Sequence, residues 1–213
     1  MRRHDLQVLA LAALFVLPAH ANADAATGGF GAFKGSVAVR WLDDEGDSRK
    51  MQLLEPFNYT DASGGEWNVP KGWKVDGASI PPALWSVIGS PYTGPYRRAS
   101  VIHDYYCDVK TRGWRATHRM FYEAMRAGGV PEVQAKTMFR AVYEFGPRWV
   151  TLKGSGLEEG QTFTAPYTPA YTAHDPAELD VWIVRDDPSI DQIEERVDKL
   201  EAIPGPPAAV PAR

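Results

Sequence analysis

The hydrophobic pattern changes period once along the chain, near residue 79. Before that point apolar positions alternate: Ser36 to Leu42 sets Val37, Val39 and Trp41 on one side, the period of two that a half-buried strand shows. Asp43 to Asp47 reads as a polar, acidic turn. A less regular strand follows from Lys50 to Tyr59, bent at Pro56, with Met51, Leu53, Leu54, Phe57 and Tyr59 as its apolar set. Turns at Asp61 to Gly65 and at Lys71-Gly72 bracket the extended piece Trp67 to Pro70, and Trp73 to Val75 closes the series. The pattern predicts a small antiparallel sheet of three or four strands.

From Ser79 onward the period is about 3.6. Ser79 ahead of Ile80-Pro81-Pro82 has the form of an N-cap with prolines in the first turn, opening a short helix that ends at Gly89. A longer helix is predicted from Arg97 to about Val109, then a break over Lys110 to Trp114. A second runs from Arg115 to Ala127 and is closed by Gly128-Gly129. A third, opened by Pro131, runs from Glu132 to Phe145 and stops at Gly146-Pro147. Its apolar face is Val133, Met138, Ala141, Val142 and Phe145. The short connection between the first two long helices favours an antiparallel pair.

After Trp149 the periodicity is lost, and residues 151–188, rich in Gly, Thr, Pro and Tyr, read as an irregular extension. Residues 189–202 read as an amphipathic helix: Ser189 and Gln192 have capping-box spacing, and Ile190, Ile193, Val197 and Leu200 recur at three and four. That helix is expected to face either the domain or a protein partner. Residues 203–213 form a Pro/Ala-rich tail. The fold class is therefore α+β: a small antiparallel sheet packed on three to four helices, spanning residues 30–150, with a C-terminal extension.

The start of the chain changes the compartment. Met1-Arg2-Arg3-His4 is basic, Leu6 to Leu17 is apolar, Pro18 breaks the run, and Ala21-Asn22-Ala23 places small residues where a signal peptidase reads. Residues 1–23 are thus expected to be a secretory signal peptide, too short to span a membrane, and the mature chain to be periplasmic or secreted. Losing Arg2, Arg3 and Asp5 makes the chain about one unit more negative than the −4 of the full sequence. An acidic chain argues against nucleic acid as a partner, which requires clustered Lys and Arg. Cys107 is the sole cysteine, so no internal disulfide forms, and it reads as a buried small apolar residue.

The candidate chemistry lies on the first helix pair. Ser100, His103 and Cys107 share one stripe of the first helix, with Val101, Asp104 and Asp108 on the next. His118, Phe121, Tyr122 and Met125 lie on one side of the second helix, so His103 and His118 are able to face each other. The expected catalytic set is His103, Asp104 and Asp76, with Ser79, Tyr96 and Arg97 near the Gly89 to Pro95 loop as substrate-binding residues. His103 and His118 are the expected ligands of a divalent metal, His103 and Asp104 diverging by about 100° and so ill placed to share one ion. Against these readings, Asp76 and Ser79 serve equally well as helix caps, and a histidine hydrogen-bonded between packed helices is ordinary. His174 has no apparent role. Arg97, Arg98, Arg112, Arg115 and Arg119 form either an anion-receiving surface or a solvated face, and the many aromatics either a binding surface or core.

Three runs taken together carry a resemblance: Trp73-x-x-Asp76-Gly-Ala-Ser79-Ile-Pro81; Ala99-x-x-Ile-His103-Asp104-Tyr105; and Arg115-x-x-His-x-x-Phe121-x-x-Ala-Met125 followed by Gly129-Val130. Over roughly residues 33 to 150 the chain resembles the domain of unknown function 1353 family of bacteria and phages. The resemblance implies a frame and no assigned activity. In the family pattern an aromatic stands at the place of Cys107 and an Asp at the place of His118. A more distant likeness is to secreted phospholipase A2 proteins, which would imply His103 as base, Asp104 as calcium ligand and the Gly89 to Pro95 segment as carbonyl donor. The leading expectation is a hydrolase-like or metal-dependent site at His103 and Asp104, in an open cleft, acting on a small molecule, lipid or cell-envelope component. The rival is a non-enzymatic envelope module that binds or builds through its aromatic surface.

Overall fold

The computed structural model describes residues 29–42, 50–75, 94–153 and 162–201. Four expectations lie outside them: the signal peptide, the acidic turn at Asp43 to Asp47, the Asp76 to Gly89 cap-and-helix motif with its loop as far as residue 93, and the tail from residue 203.

Two three-stranded antiparallel sheets stand where one was expected. The first has the order β1 (Ala32–Lys34), β4 (Phe57–Thr60), β5 (Glu66–Val69), and the second β2 (Val39–Trp41), β3 (Met51–Leu53), β6 (Lys74–Val75). The single bent strand read from Lys50 to Tyr59 is thus two strands in different sheets, separated at Leu54 to Pro56, where proline has no N–H to give a ladder. In the first sheet Phe33, Tyr59 and Trp67 are in register. The alternation holds there: Phe57, Tyr59, Trp67 and Val69 are buried. It fails at Trp41, which is 49% exposed at the end of β2, an edge strand of the second sheet.

The three long helices fall where the sequence places them: α1 is Arg97–Val109, α2 Trp114–Ala127 and α3 Glu132–Phe145. Lys110 ends α1 in the left-handed region, its N–H bonded to the Tyr106 carbonyl at 3.0 Å. α2 runs back along α1, and Gly128 at its end lies so close to Pro95 that a Cβ would stand 2.9 Å from the Pro95 oxygen. Only glycine permits that approach. α1 is seated on the sheets by aromatic contacts, Trp67 on Tyr106 and Trp73 on Tyr105 at 4.8 Å each, and the Tyr106 hydroxyl accepts the Asn68 N–H at 3.0 Å.

The described residues of the segment 151–188, expected to be irregular, include regular elements. β7 (Arg148–Lys153) and β8 (Thr162–Tyr167) form an antiparallel hairpin, and α4 (Pro176–Asp186) follows. The helix predicted at 189–202 is α5 (Ile190–Asp198), and both halves of the Ser189–Gln192 capping box are present. Its apolar face packs on the domain, Ile193 and Val197 being fully buried beside Leu179 and Ile183 of α4. That face is therefore not available to a protein partner.

Covering by α4 and α5 explains why α3 departs from its expected amphipathic pattern. Its buried set includes Lys136, Arg140 and Glu144, while Val133 and Phe145 are each 40% exposed. The three charged residues form an i, i+4 stripe that meets the C-terminal helices: Lys136 pairs with Glu132 and Asp187 at 2.8 and 2.6 Å, and Arg140 with Glu144 and Asp180 at 2.9 and 2.6 Å. Arg148 pairs with Glu201 and also donates to the Tyr143 carbonyl and the Tyr171 hydroxyl. Buried charges of this kind persist only when paired.

Candidate metal centre

His103 and His118 face each other between α1 and α2, as the spacing allowed. His103 Nε2 lies 2.8 Å from His118 Nδ1 and 3.5 Å from Cys107 Sγ. Cys107, read from the sequence as a small core residue, is buried as expected, yet it joins the pair as a third possible ligand. The donor atoms of His103, Cys107 and His118 all lie within 4.8 Å of one another. The signal that points to the third member is the four-residue interval from His103 to Cys107, which stacks the two side chains on one face of α1.

The surroundings are aromatic and dry. His103 and His118 are 0% exposed and Cys107 4%. Phe121 lies against His103 with ring centres 4.6 Å apart, and Trp114 and Trp149 lie 5.6 and 6.5 Å from His118. Gly146 at the end of α3 closes the far side, where a Cβ would stand 3.3 Å from His118 Cε1.

Burial sets the charge state. It pushes the His103 pKa down to about 3. Burial also holds His118 well below the ordinary range, with His103 and the Arg148 guanidinium adding to the effect and the Pro147 backbone opposing it. Both imidazoles are neutral at pH 7, which is the form that ligates metal. In the His–His hydrogen bond one ring donates and the other accepts, so either tautomer leaves His118 with one nitrogen facing outward. That nitrogen, Nε2, is buried and makes no hydrogen bond of ordinary geometry among the described residues, the Pro147 backbone compensating it only in part.

An ion between the three donors would take a lone pair from each inward nitrogen and leave N–H on the outward ones. Zinc bonds of about 2.0 Å to nitrogen and 2.3 Å to sulfur set N···N and N···S edges near 3.3 and 3.5 Å. The 3.5 Å from His103 Nε2 to Cys107 Sγ fits such an edge, the imidazoles would part by about half an ångström to fit the N···N edge, and the third edge, from His118 to Cys107, lies within 4.8 Å.

Of the remaining expected site residues, the three that are described do not join the cluster. Asp104 is buried on the adjacent stripe of α1, Tyr96 is buried in the core, and Arg97 is exposed at the first position of α1. Asp76 and Ser79 lie outside the described residues. His103 and Asp104 thus line no open cleft: both are buried.

Four of the arginines expected to receive an anion are committed within the chain. Arg98 lies 4.2 Å over Phe33, and Arg112 lies 4.1 Å over Trp67 while donating to the Glu66 carbonyl at 2.6 Å. Arg115 pairs with Asp198 at 3.1 Å, and Arg119 with Asp191 and Glu194 at 2.5 and 2.7 Å. His174, which had no apparent role, donates to buried Glu144 at 2.7 Å and to the Thr172 carbonyl at 2.9 Å.

Residues 51–142 match the family model described as "Protein of unknown function (DUF1353)", in agreement with the resemblance read from the motifs. Two curated proteins of Sinorhizobium fredii (strain NBRC 101917 / NGR234) are similar to the chain. "Uncharacterized protein y4jT" is 45% identical over 139 residues, 65% of this chain and 40% of the relative. "Uncharacterized protein y4iH" is 48% identical over 117 residues, 55% of this chain and 48% of the relative. The chain thus spans less than half the length of each. Neither description supports the likeness to secreted phospholipase A2 proteins. No solved structure matches the chain.

Proposed function

We propose that this is a metal-binding protein whose α1–α2 core holds one transition-metal ion through His103, Cys107 and His118. The observation that carries the reading is the convergence of three buried donors within 4.8 Å, two of them imidazoles kept neutral by burial. Hydrolysis by a His103–Asp104 pair is the weaker reading. A histidine whose pKa is pushed down to about 3 is a poor general base at neutral pH, and its burial keeps substrate away. Export remains part of the proposal and rests on the signal-like pattern of residues 1–23. Cell fractionation with N-terminal sequencing of the recovered chain tests it.

Elemental analysis of the purified chain beside His103→Ala and His118→Ala tests the metal. One ion per chain, lost in both folded variants, is the expected result. No metal in the parent, with both variants merely less stable, would make the histidines core hydrogen-bonding groups and nothing more.

A second reading, an envelope binding module, is favoured by one feature. A surface groove of about 430 Å³ lies at α4 and α5, lined by Asp175, Val181, Trp182, Arg185 and Arg196 among others. It offers an indole and mixed charge to a polar ligand, and Trp182→Ala would abolish binding there while leaving metal content unchanged.

A further inference from the structure

Resting on that metal-binding reading, we infer that the ion the site is built for is monovalent copper, held in a trigonal arrangement by His103 Nε2, Cys107 Sγ and His118 Nδ1. Two features favour it over zinc, and a third narrows the choice to those two metals.

The first is the number of donors. Among the described residues three side chains converge, and no fourth His, Cys, Asp or Glu joins them. Zinc in structural sites almost always takes four, whereas a cuprous ion is satisfied by three. The second is charge. Two neutral imidazoles and one thiolate sum to −1, so a monovalent ion gives a neutral assembly and a divalent ion leaves a net positive charge. That excess would sit in a site whose three ligands are 0%, 4% and 0% exposed, where an uncompensated charge is strongly disfavoured. The external charge that acts on His118 is itself positive, the Arg148 guanidinium. Asp104 and Asp108 lie on the neighbouring stripe of α1, turned about 100° from the ligands. The third is softness. A thiolate with two imidazoles, and no carboxylate among the three, selects copper or zinc over magnesium, calcium or manganese.

Binding is balanced without any redox step. The ion displaces the thiol proton of Cys107, so one proton is released per ion. The proton shared between His103 and His118 moves to an outward nitrogen, and no electron is transferred.

The experiment uses the full chain under anaerobic, reducing conditions. Cuprous ion is titrated against a competing cuprous chelator, zinc is titrated against a chromogenic zinc chelator, and the loaded protein is examined by copper-edge X-ray absorption. The expected result is one copper per chain with a three-coordinate shell of two nitrogens and one sulfur, one proton released, and bound zinc displaced by one equivalent of copper. Cys107→Ser and His118→Gln are each expected to weaken copper binding more than about 100-fold, beyond what loss of an outer-shell partner alone costs. Circular dichroism confirms folding, and Cys107→Ser, which changes a single atom, decides the matter if His118→Gln does not fold. One zinc per chain, four-coordinate and retained against an equivalent of copper, would overturn the copper assignment while leaving the metal site standing. Stoichiometric binding of neither ion, or copper binding unchanged in both variants, would overturn the assignment and the metal reading together.

Discussion

Two packed regions of this molecule contain histidine, fully buried in one and partly exposed in the other, and they treat it in opposite ways. Between α1 and α2, His103 and His118 have aromatic neighbours and each other, with no carboxylate bonded to either ring among the described residues. At the seam between α3 and the C-terminal helices, His174 has both ring nitrogens on acceptors, the Thr172 carbonyl and the Glu144 carboxylate. The Thr172 carbonyl and the Glu144 carboxylate raise the His174 pKa, whereas desolvation alone drives His103 down to about 3. Full burial with no charged partner keeps His103 neutral, whereas partial exposure together with two acceptors favours the charged form of His174. The first region gathers three donors that could hold a metal, and the second is an ionic clamp.

The largest expected effect breaks the clamp. Glu144→Ala leaves buried Arg140 with Asp180 as its remaining carboxylate and takes the acceptor from His174, and should cost about 3–4 kcal/mol in urea denaturation. The double variant Arg140→Met, Glu144→Leu should recover part of that loss, because the two apolar groups need no partner and the partly exposed Asp180 and His174 are left to water. In the metal-free chain, His118→Ala should cost about 2–4 kcal/mol by opening a cavity among Trp114, Phe121 and Trp149. Restoring stability with His118→Phe would show that the core tolerates an apolar ring where no ion is bound.

The pH profile sharpens the contrast, since the two regions have opposite signs. The core histidines have depressed pKa values, so below about 6.5 the unfolded chain takes up protons that the folded chain refuses. Stability of the metal-free protein should fall on acidification by up to about 1.4 kcal/mol per pH unit for each histidine, continuing for His103 toward its pKa of about 3. His174 has a raised pKa, so its contribution is fully present below about 6.5 and is lost as pH rises through the folded value. Denaturation across pH should show the acid limb flattened by the double variant His103→Phe, His118→Phe and the alkaline limb by His174→Gln.

Smaller effects belong to the clamp's edges. Ser189→Ala removes half of the capping box of α5 and should cost about 1 kcal/mol in thermal or urea melts. Glu195→Ala, which breaks an exposed i, i+4 pair with Lys199, should change stability by no more than about 0.5 kcal/mol.

Much of the helical frame was legible because its signals are local. Gly128-Gly129, Pro131 and Gly146-Pro147 mark ends that depend on backbone conformation, and the ends fall where those residues stand. Ser189 and Gln192 likewise announce a cap that needs no distant partner. The i, i+3, i+7 stripe of Ser100, His103 and Cys107, all buried, followed from helical geometry in the same way. Less was legible where pairing is long-range. The sequence has no local mark that sends Met51–Leu53 and Phe57–Thr60 into different sheets, nor one that says α3 will be covered on its charged side.

What the sequence determined by itself, then, is the α+β class, the three long helices and their caps, and the placing of His103 and Cys107 on one face of α1. Short-range backbone preferences and the 3.6 period suffice for those. Only the tertiary structure decided that His118 meets that face at 2.8 Å, that Cys107 completes a three-donor cluster, and that Lys136, Arg140 and Glu144 are buried. Each of these depends on which elements pack together, and in a close-packed interior that choice sets whether a polar side chain meets water, an opposite charge or a possible ligand.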